Sequence, residues 1–150
     1  MNSIKNNQKL SFYTLDGDQL KKIYIYNSGV PAGFPSPAED HLDTDLNLHK
    51  YLVKHPSATF FVRAQGYSME DAGIKDGDLL VVDKSMEAKN KDIIIAAING
   101  EFTVKRYVLD NNCIYLRSEN KSLNYPNIKI NETIDFEVWG VVTYTIHKNT

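Results

Sequence analysis

The chain has 150 residues, 42% of them hydrophobic and 24% charged, with a formal net charge of −2. That length accommodates one domain with a packed core, or a smaller domain and an arm. No apolar run approaches the roughly 20 residues that span a bilayer, and the polar start Met1-Asn2-Ser3-Ile4-Lys5-Asn6-Asn7-Gln8 has no signal-peptide core, so the expectation is a cytoplasmic protein.

A single cysteine, Cys113, excludes an internal disulfide and a Cys-rich zinc site. Within Cys113-Ile114-Tyr115-Leu116 it is expected as a small buried hydrophobe. His41, His49, His55 and His147 match no metal-ligand motif such as HExxH, so no metal and no other cofactor is expected. Charge is uneven: residues 1–32 carry +2, leaving −4 for the rest. An acidic body argues against duplex binding through a basic face.

Residues 1–32 are polar and mixed, with one strand-like run, Lys22-Ile23-Tyr24-Ile25-Tyr26, suited to pairing along a sheet edge. The segment is too short for a helix-turn-helix domain and reads as an arm. Gly29 to Ala38 follows, with three prolines and two glycines in ten residues. Such a run lies extended, which suits a linker and equally a protease substrate. Ala32-Gly33 offers two small residues that a narrow site could admit.

From Pro37-Ala38-Glu39-Asp40 to Leu52-Val53 the pattern predicts a helix, with Leu46, Leu48, Tyr51 and Leu52 at three- and four-residue steps and Pro56 closing it. Everything after Pro56 predicts strands. Thr59 to Arg63 leads into a loop, Ala64-Gln65-Gly66-Tyr67-Ser68-Met69, and Asp76-Gly77-Asp78 turns into Leu79-Leu80-Val81-Val82. Asp92 to Ile98 meets Glu101 to Lys105 through Asn99-Gly100, a strong hairpin signal. Further strands are expected at Cys113 to Arg117 and at Phe136 to His147, which holds Trp139.

Chemistry concentrates on two residues. A serine hydroxyl is a weak nucleophile until a base takes its proton, and no Ser/His/Asp arrangement presents itself. The remaining base is a lysine amine, which makes Ser68 and Lys105 the pair to test. Two-residue alternation puts Lys105 on one strand face with Thr103 and Tyr107. A lysine is a base only when neutral, so the fold must bury it. Gly66 and Gly73 suit tight turns, and equally a loop whose amides converge on an oxyanion.

Together these stretches resemble the UmuD group of LexA-like self-cleaving serine peptidases. The matching pieces, in order, are Ala32 to Ala38, His55-Pro56-Ser57-Ala58-Thr59, Gly66-x-Ser68-Met69, Gly73-Ile74-x-Asp76-Gly77-Asp78-Leu79-Leu80, Asp92-Ile93-x-Ile95-Ala96-Ala97 and Gly100 to Lys105. The 37 positions between Ser68 and Lys105 match that family's spacing.

The resemblance implies a mainly β fold of the LexA/UmuD peptidase type, with curved antiparallel sheets, one short helix and an extended N-terminal arm. It implies a removable arm, 1–32, and a peptidase and dimerisation domain, 33–150. Ser68 would be the nucleophile, Lys105 the general base, the backbone N–H groups of Tyr67 and Ser68 the oxyanion site, and Ala32-Gly33 the scissile bond. The implied partners are a second copy in a homodimer, a RecA filament on single-stranded DNA with ATP as activator, and a UmuC-like Y-family polymerase served in translesion synthesis during the SOS response.

Two positions depart from the pattern. Tyr67 stands where the best-known members carry a small acidic residue, and Pro31 restricts entry of the arm. The competing expectations are a catalytically idle β-domain that dimerises and docks on partners, and a repressor relative without its DNA-binding half. A membrane signal peptidase with a Ser/Lys dyad is set aside for want of an anchor.

Overall fold

Asn99 and Gly100 adopt φ of +48° and +81°, the backbone that a two-residue hairpin turn requires at both central positions. Their flanking strands pair antiparallel, Ile98 opposite Glu101 and Ile94 opposite Lys105. Asn111 and Asn112, at φ +46° and +60°, repeat the device one hairpin later, with Asp110 opposite Cys113. The hairpin expected at Asn99-Gly100 is therefore present, and a second follows it, both turning at residues that tolerate positive φ.

The computed structural model describes residues 12–13, 24–26, 30–35 and 42–150, with side chains described for 30–35 and 46–150. In chain order the described strands are β1 (Phe12–Tyr13), β2 (Tyr24–Tyr26), β3 (Leu42–Asp45), β4 (Thr59–Arg63), β5 (Leu79–Asp83), β6 (Ile93–Ile98), β7 (Glu101–Asp110), β8 (Cys113–Arg117), β9 (Ile128–Lys129) and β10 (Phe136–Ile146). The chain divides into two units, Met1–Leu15 with His55–Thr150, and Asp16–Lys54.

In the first unit, eight strands form one unclosed sheet in the order β1-β4-β5-β10-β6-β7-β8-β9, with every pairing antiparallel. β10 is the shared strand. Its register shifts between Val138 and Gly140 against β6, and between Val142 and Tyr144 against β5. Such bulges add local twist and let one long strand serve two neighbours. Gly140 sits at the crossing because a Cβ there would meet Val82 Cγ1 at 2.7 Å and Asp83 O at 3.0 Å.

β6 is buried on both faces. Ile95 joins Val62, Leu80, Val82, Met69 and Ile74 in one core cluster, while Ile94 and Ala96 join Leu116 and Val141 in another. That explains its unbroken apolar run, since period-two alternation is expected only where one face is wet. Trp139 packs edge-on against Phe102, ring centroids 4.6 Å apart, at the rim of the first cluster. Cys113 is half-buried rather than fully enclosed, because it begins β8 directly after the exposed turn at Asn111-Asn112, whereas Leu116 further along the strand is fully buried.

In the second unit the helix expected from Pro37 to Val53 is corrected. Residues 36–41 lie outside the described residues, Leu42–Asp45 forms strand β3, and helix α1 spans only Leu48–Leu52. Leu42-Asp43-Thr44-Asp45 has one apolar residue and three (Asp43, Thr44, Asp45) that disfavour a helix interior, and it pairs with β2 instead. Asn47 starts the helix by accepting the Lys50 N–H on its side chain at 3.0 Å. The strand-like run around Tyr24–Tyr26 is a strand, with β3 as its neighbour in a two-stranded sheet; Lys22 and Ile23 lie outside the described residues. Pro56 opens a 3₁₀ turn, Pro56–Ala58, rather than simply ending the helix.

Candidate active site

The loop between β4 and β5 is closed at its base by backbone. Ala64 N–H donates to Asp78 O at 2.8 Å, and Gly77 N–H returns to Ala64 O at 2.9 Å. Gly66, at φ +86°, turns its N–H onto Asp76 Oδ1 at 2.7 Å. Met69 and Ile74, each 3% exposed, insert into the core from within the loop. Ser68 therefore follows a glycine turn and immediately precedes a buried anchor, which fixes the backbone on both sides of its hydroxyl.

Lys105 comes from the middle of β7, opposite Ile94 of β6 and one residue before the pairing with β8 begins at Arg106. Its residue is only 9% exposed. Nζ lies 3.3 Å from Ser68 Oγ and 3.2 Å from Val104 O. Burial holds the ammonium below the usual lysine range, because removing water penalises the charged form. Charged, it donates to both oxygens; neutral, it presents a lone pair that can receive the serine proton. A groove runs past Ser68, lined by Ala64, Gly66, Ser68, Met69, Phe102 and Val104 among others, and Lys105 is not part of its wall.

Ser68 and Lys105, 37 positions apart in sequence, are thus brought together. The Tyr67 side chain is half exposed and its backbone belongs to the same loop. Ala32 and Gly33 lie in an exposed bend of the other unit, where a Cβ on Gly33 would meet nothing within 4 Å. Among the described residues no group of three or more His, Cys, Asp or Glu is placed to hold a metal, and no helix is long and apolar enough to cross a membrane.

Sequence reasoning missed the supports of this loop. Segment Glu119-Asn120-Lys121 braces it: Glu119 N–H donates to Ser68 O at 2.8 Å and Asn120 Nδ2 to Tyr67 O at 2.6 Å. Asp71 answers in both directions, its N–H to Glu119 O at 2.9 Å and its Oδ2 accepting Lys121 N–H at 2.6 Å. Arg106, next to Lys105, grips the Glu119 carboxylate with Nε at 2.6 Å and Nη2 at 2.9 Å. That hydrogen-bonded pairing outweighs burial and holds the Glu119 carboxyl below its usual range. A second pair, His147 Nδ1 on Asp78 Oδ1 at 2.6 Å, ties the chain after β10 to the base of the loop. His55 Nδ1 similarly meets buried Asp83 Oδ2 at 2.6 Å. None of these contacts has a sequence periodicity that would announce it.

A serine hydroxyl 3.3 Å from a buried lysine amine is an arrangement in which a neutral amine can take the hydroxyl proton. A model of the family described as Peptidase S24-like matches residues 24–143. The chain is 43% identical over 136 residues to Protein MucA of Salmonella typhimurium, covering 90% of this chain and 91% of that one. It is 44% identical over 132 residues to Protein ImpA of Escherichia coli, covering 88% of each. It is also 38% identical over 118 residues to the LexA repressor of Psychromonas ingrahamii, covering 78% of this chain and 55% of the repressor. The chain belongs to the Peptidase S24-like family, as a UmuD-like member.

Proposed function

We propose that this chain is an SOS-response accessory protein that cuts itself between Ala32 and Gly33. The observation that carries the reading is the 3.3 Å approach of Lys105 Nζ to Ser68 Oγ, made by a lysine that is almost wholly buried. Neutral Lys105 takes the Ser68 hydroxyl proton as Oγ attacks the Ala32 carbonyl carbon. The tetrahedral oxyanion is met by the backbone N–H groups of Tyr67 and Ser68. Collapse breaks the Ala32–Gly33 C–N bond, and the Lys105 ammonium returns its proton to the departing Gly33 amine. Water, deprotonated by Lys105, then hydrolyses the Ser68 ester. The products are residues 1–32 with a new carboxylate, and residues 33–150.

A tethered substrate supplies the high effective concentration that a weak nucleophile and a mostly protonated base require. The activator therefore need contribute no catalytic group; it need only favour the conformer in which the scissile bond lies over Ser68. Family membership supports a RecA filament on single-stranded DNA for that role, and a homodimer of the shortened chain working in the cytoplasm with a Y-family polymerase in translesion synthesis. The test is the intact mass of purified protein incubated with RecA, single-stranded DNA and ATP, beside Ser68→Ala and Lys105→Ala. Loss of residues 1–32 in the wild type alone is expected. A wild type that stays whole there and at alkaline pH overturns the peptidase reading and favours a docking module without catalysis.

A further inference from the structure

An amide can serve an oxyanion only if its peptide plane is held in one orientation, and the plane preceding Ser68 is held from its far side. In a trans peptide the carbonyl of one residue and the N–H of the next point in opposite directions, and no cis peptide bond occurs among the described residues. The Tyr67 carbonyl oxygen receives Asn120 Nδ2 at 2.6 Å and Glu70 N–H at 3.3 Å. The Ser68 N–H is thereby turned away from Asn120, and among the described residues it has no acceptor. The next plane is held likewise, Ser68 O receiving Glu119 N–H at 2.8 Å.

The orientation of the Asn120 amide follows from its partners. Its Oδ1 accepts Ser122 N–H at 3.0 Å and Leu123 N–H at 3.2 Å, so Nδ2 is the end that faces the Tyr67 carbonyl. The segment carrying it is itself fixed, through Glu119 on Arg106 and Lys121 on Asp71. Arg106, on the same strand as Lys105, also donates through Nη1 to Lys91 O at 2.8 Å, which ties its guanidinium to the turn before β6.

We infer that Asn120 is a positioning residue for the self-cleavage reaction: by holding the Tyr67 carbonyl it aims the Ser68 N–H at the oxygen that becomes negative during attack. The inference rests on the peptidase reading above and adds to it a residue 53 positions from Tyr67 that touches neither substrate nor nucleophile side chain. Without the Asn120 grip, only the longer Glu70 N–H contact at 3.3 Å holds the Tyr67 carbonyl, and the plane is more easily rotated. A rotated plane both removes a donor and presents a carbonyl to the developing charge.

The test uses full-length protein and follows unassisted self-cleavage by intact mass across alkaline pH, in wild type, Asn120→Asp and Asn120→Ala. Asn120→Asp keeps the Oδ1 acceptor for Ser122 and Leu123 and replaces only the donor; Asn120→Ala adds no charge. The expected result is a fall of about ten- to a hundredfold in the plateau rate, where the lysine is fully neutral, somewhat less than outright deletion of an oxyanion donor. In Asn120→Ala the pH midpoint stays at the wild-type value. A merely structural role would instead admit water to Lys105 and move that midpoint up toward an ordinary lysine. Plateau rates within about twofold of wild type overturn the inference, as does an upward midpoint shift in Asn120→Ala, or loss of cleavage that only tracks loss of the unfolding transition in both variants. A wild type that never cuts overturns the peptidase reading and this inference together; a cutting wild type with unimpaired variants overturns this one alone.

Discussion

Raising the pH on the uncut protein, with no activator, probes the lysine directly. At a reference pKa of about 10.4, roughly one lysine in 2,500 is neutral at pH 7, and the fraction rises tenfold per pH unit until the midpoint. Lys105 is 9% exposed and lies 3.3 Å from the Ser68 hydroxyl, which the proposed reaction has it deprotonate, and burial lowers its pKa. The first-order cleavage rate is therefore expected to climb with unit slope in log rate against pH and to level off at a midpoint below about 10.4. The assay is intact mass on quenched samples, with Ser68→Ala as the blank.

The same shift has a stability signature of definite sign. A lysine depressed on folding leaves the folded state with fewer bound protons than the unfolded state between its lowered pKa and about 10.4, so stability rises with pH through that window. Below the window the penalty is constant. In a Ser68→Ala background, which keeps the chain whole, Lys105→Met is expected to be the more stable protein at neutral pH, with the gap closing as pH rises. Denaturant unfolding at several pH values reads the gap. A flat cleavage profile, a midpoint at or above that of an ordinary lysine, or a gap that is constant through the window would each refute the reasoning.

Three further outcomes follow from the same contacts. Gly140→Ala is expected to cost about 1–3 kcal/mol by overpacking, since the new Cβ meets Val82 Cγ1 at 2.7 Å and the Asp83 backbone oxygen at 3.0 Å; an unchanged denaturation midpoint would show that β10 and β5 separate freely. Burial alone would raise the Asp83 carboxyl, but hydrogen bonds from His55 and Ser85 outweigh it and leave the pKa lowered. Its stabilisation is thus present above the ordinary carboxylate range and lost as pH falls through the lowered value, so Asp83→Asn should flatten the acid limb of stability against pH, and an unaltered limb counts against the pair. Cleavage at Ala32–Gly33 separates β1 covalently from the sheet, so amides of Thr59–Arg63 should exchange faster in the cut protein; equal protection before and after would mean that the fragment stays on the β4 edge.

What the sequence could disclose follows from how each feature is encoded. The hairpins were legible because positive φ selects Asn and Gly: Asn99-Gly100 and Gly77 stand where the backbone demands them. Ser68 and Lys105 were legible as a pair through motif spacing, and the strand period put the lysine on a definite face. The helix expected over 37–53 extends too far because its leucine steps of three and four start only at Leu46 and say nothing of the residues before it, whereas the Asn47 cap marks where the helix begins. β1 is two residues long, too short for any period to register.

The brace was illegible for a different reason. Asn120 and Glu119 act on the carbonyl oxygens of Tyr67 and Ser68, and every residue type offers the same carbonyl, so the receiving end leaves no mark in the sequence. The giving end is an ordinary polar loop. Nucleophile and base must be particular residues and so announce themselves, whereas the geometry that makes them useful is held through backbone. In the proposed reaction the chemistry is thus written in two side chains, while the inferred aim of the oxyanion donor is set by a segment that only the folded chain brings beside them.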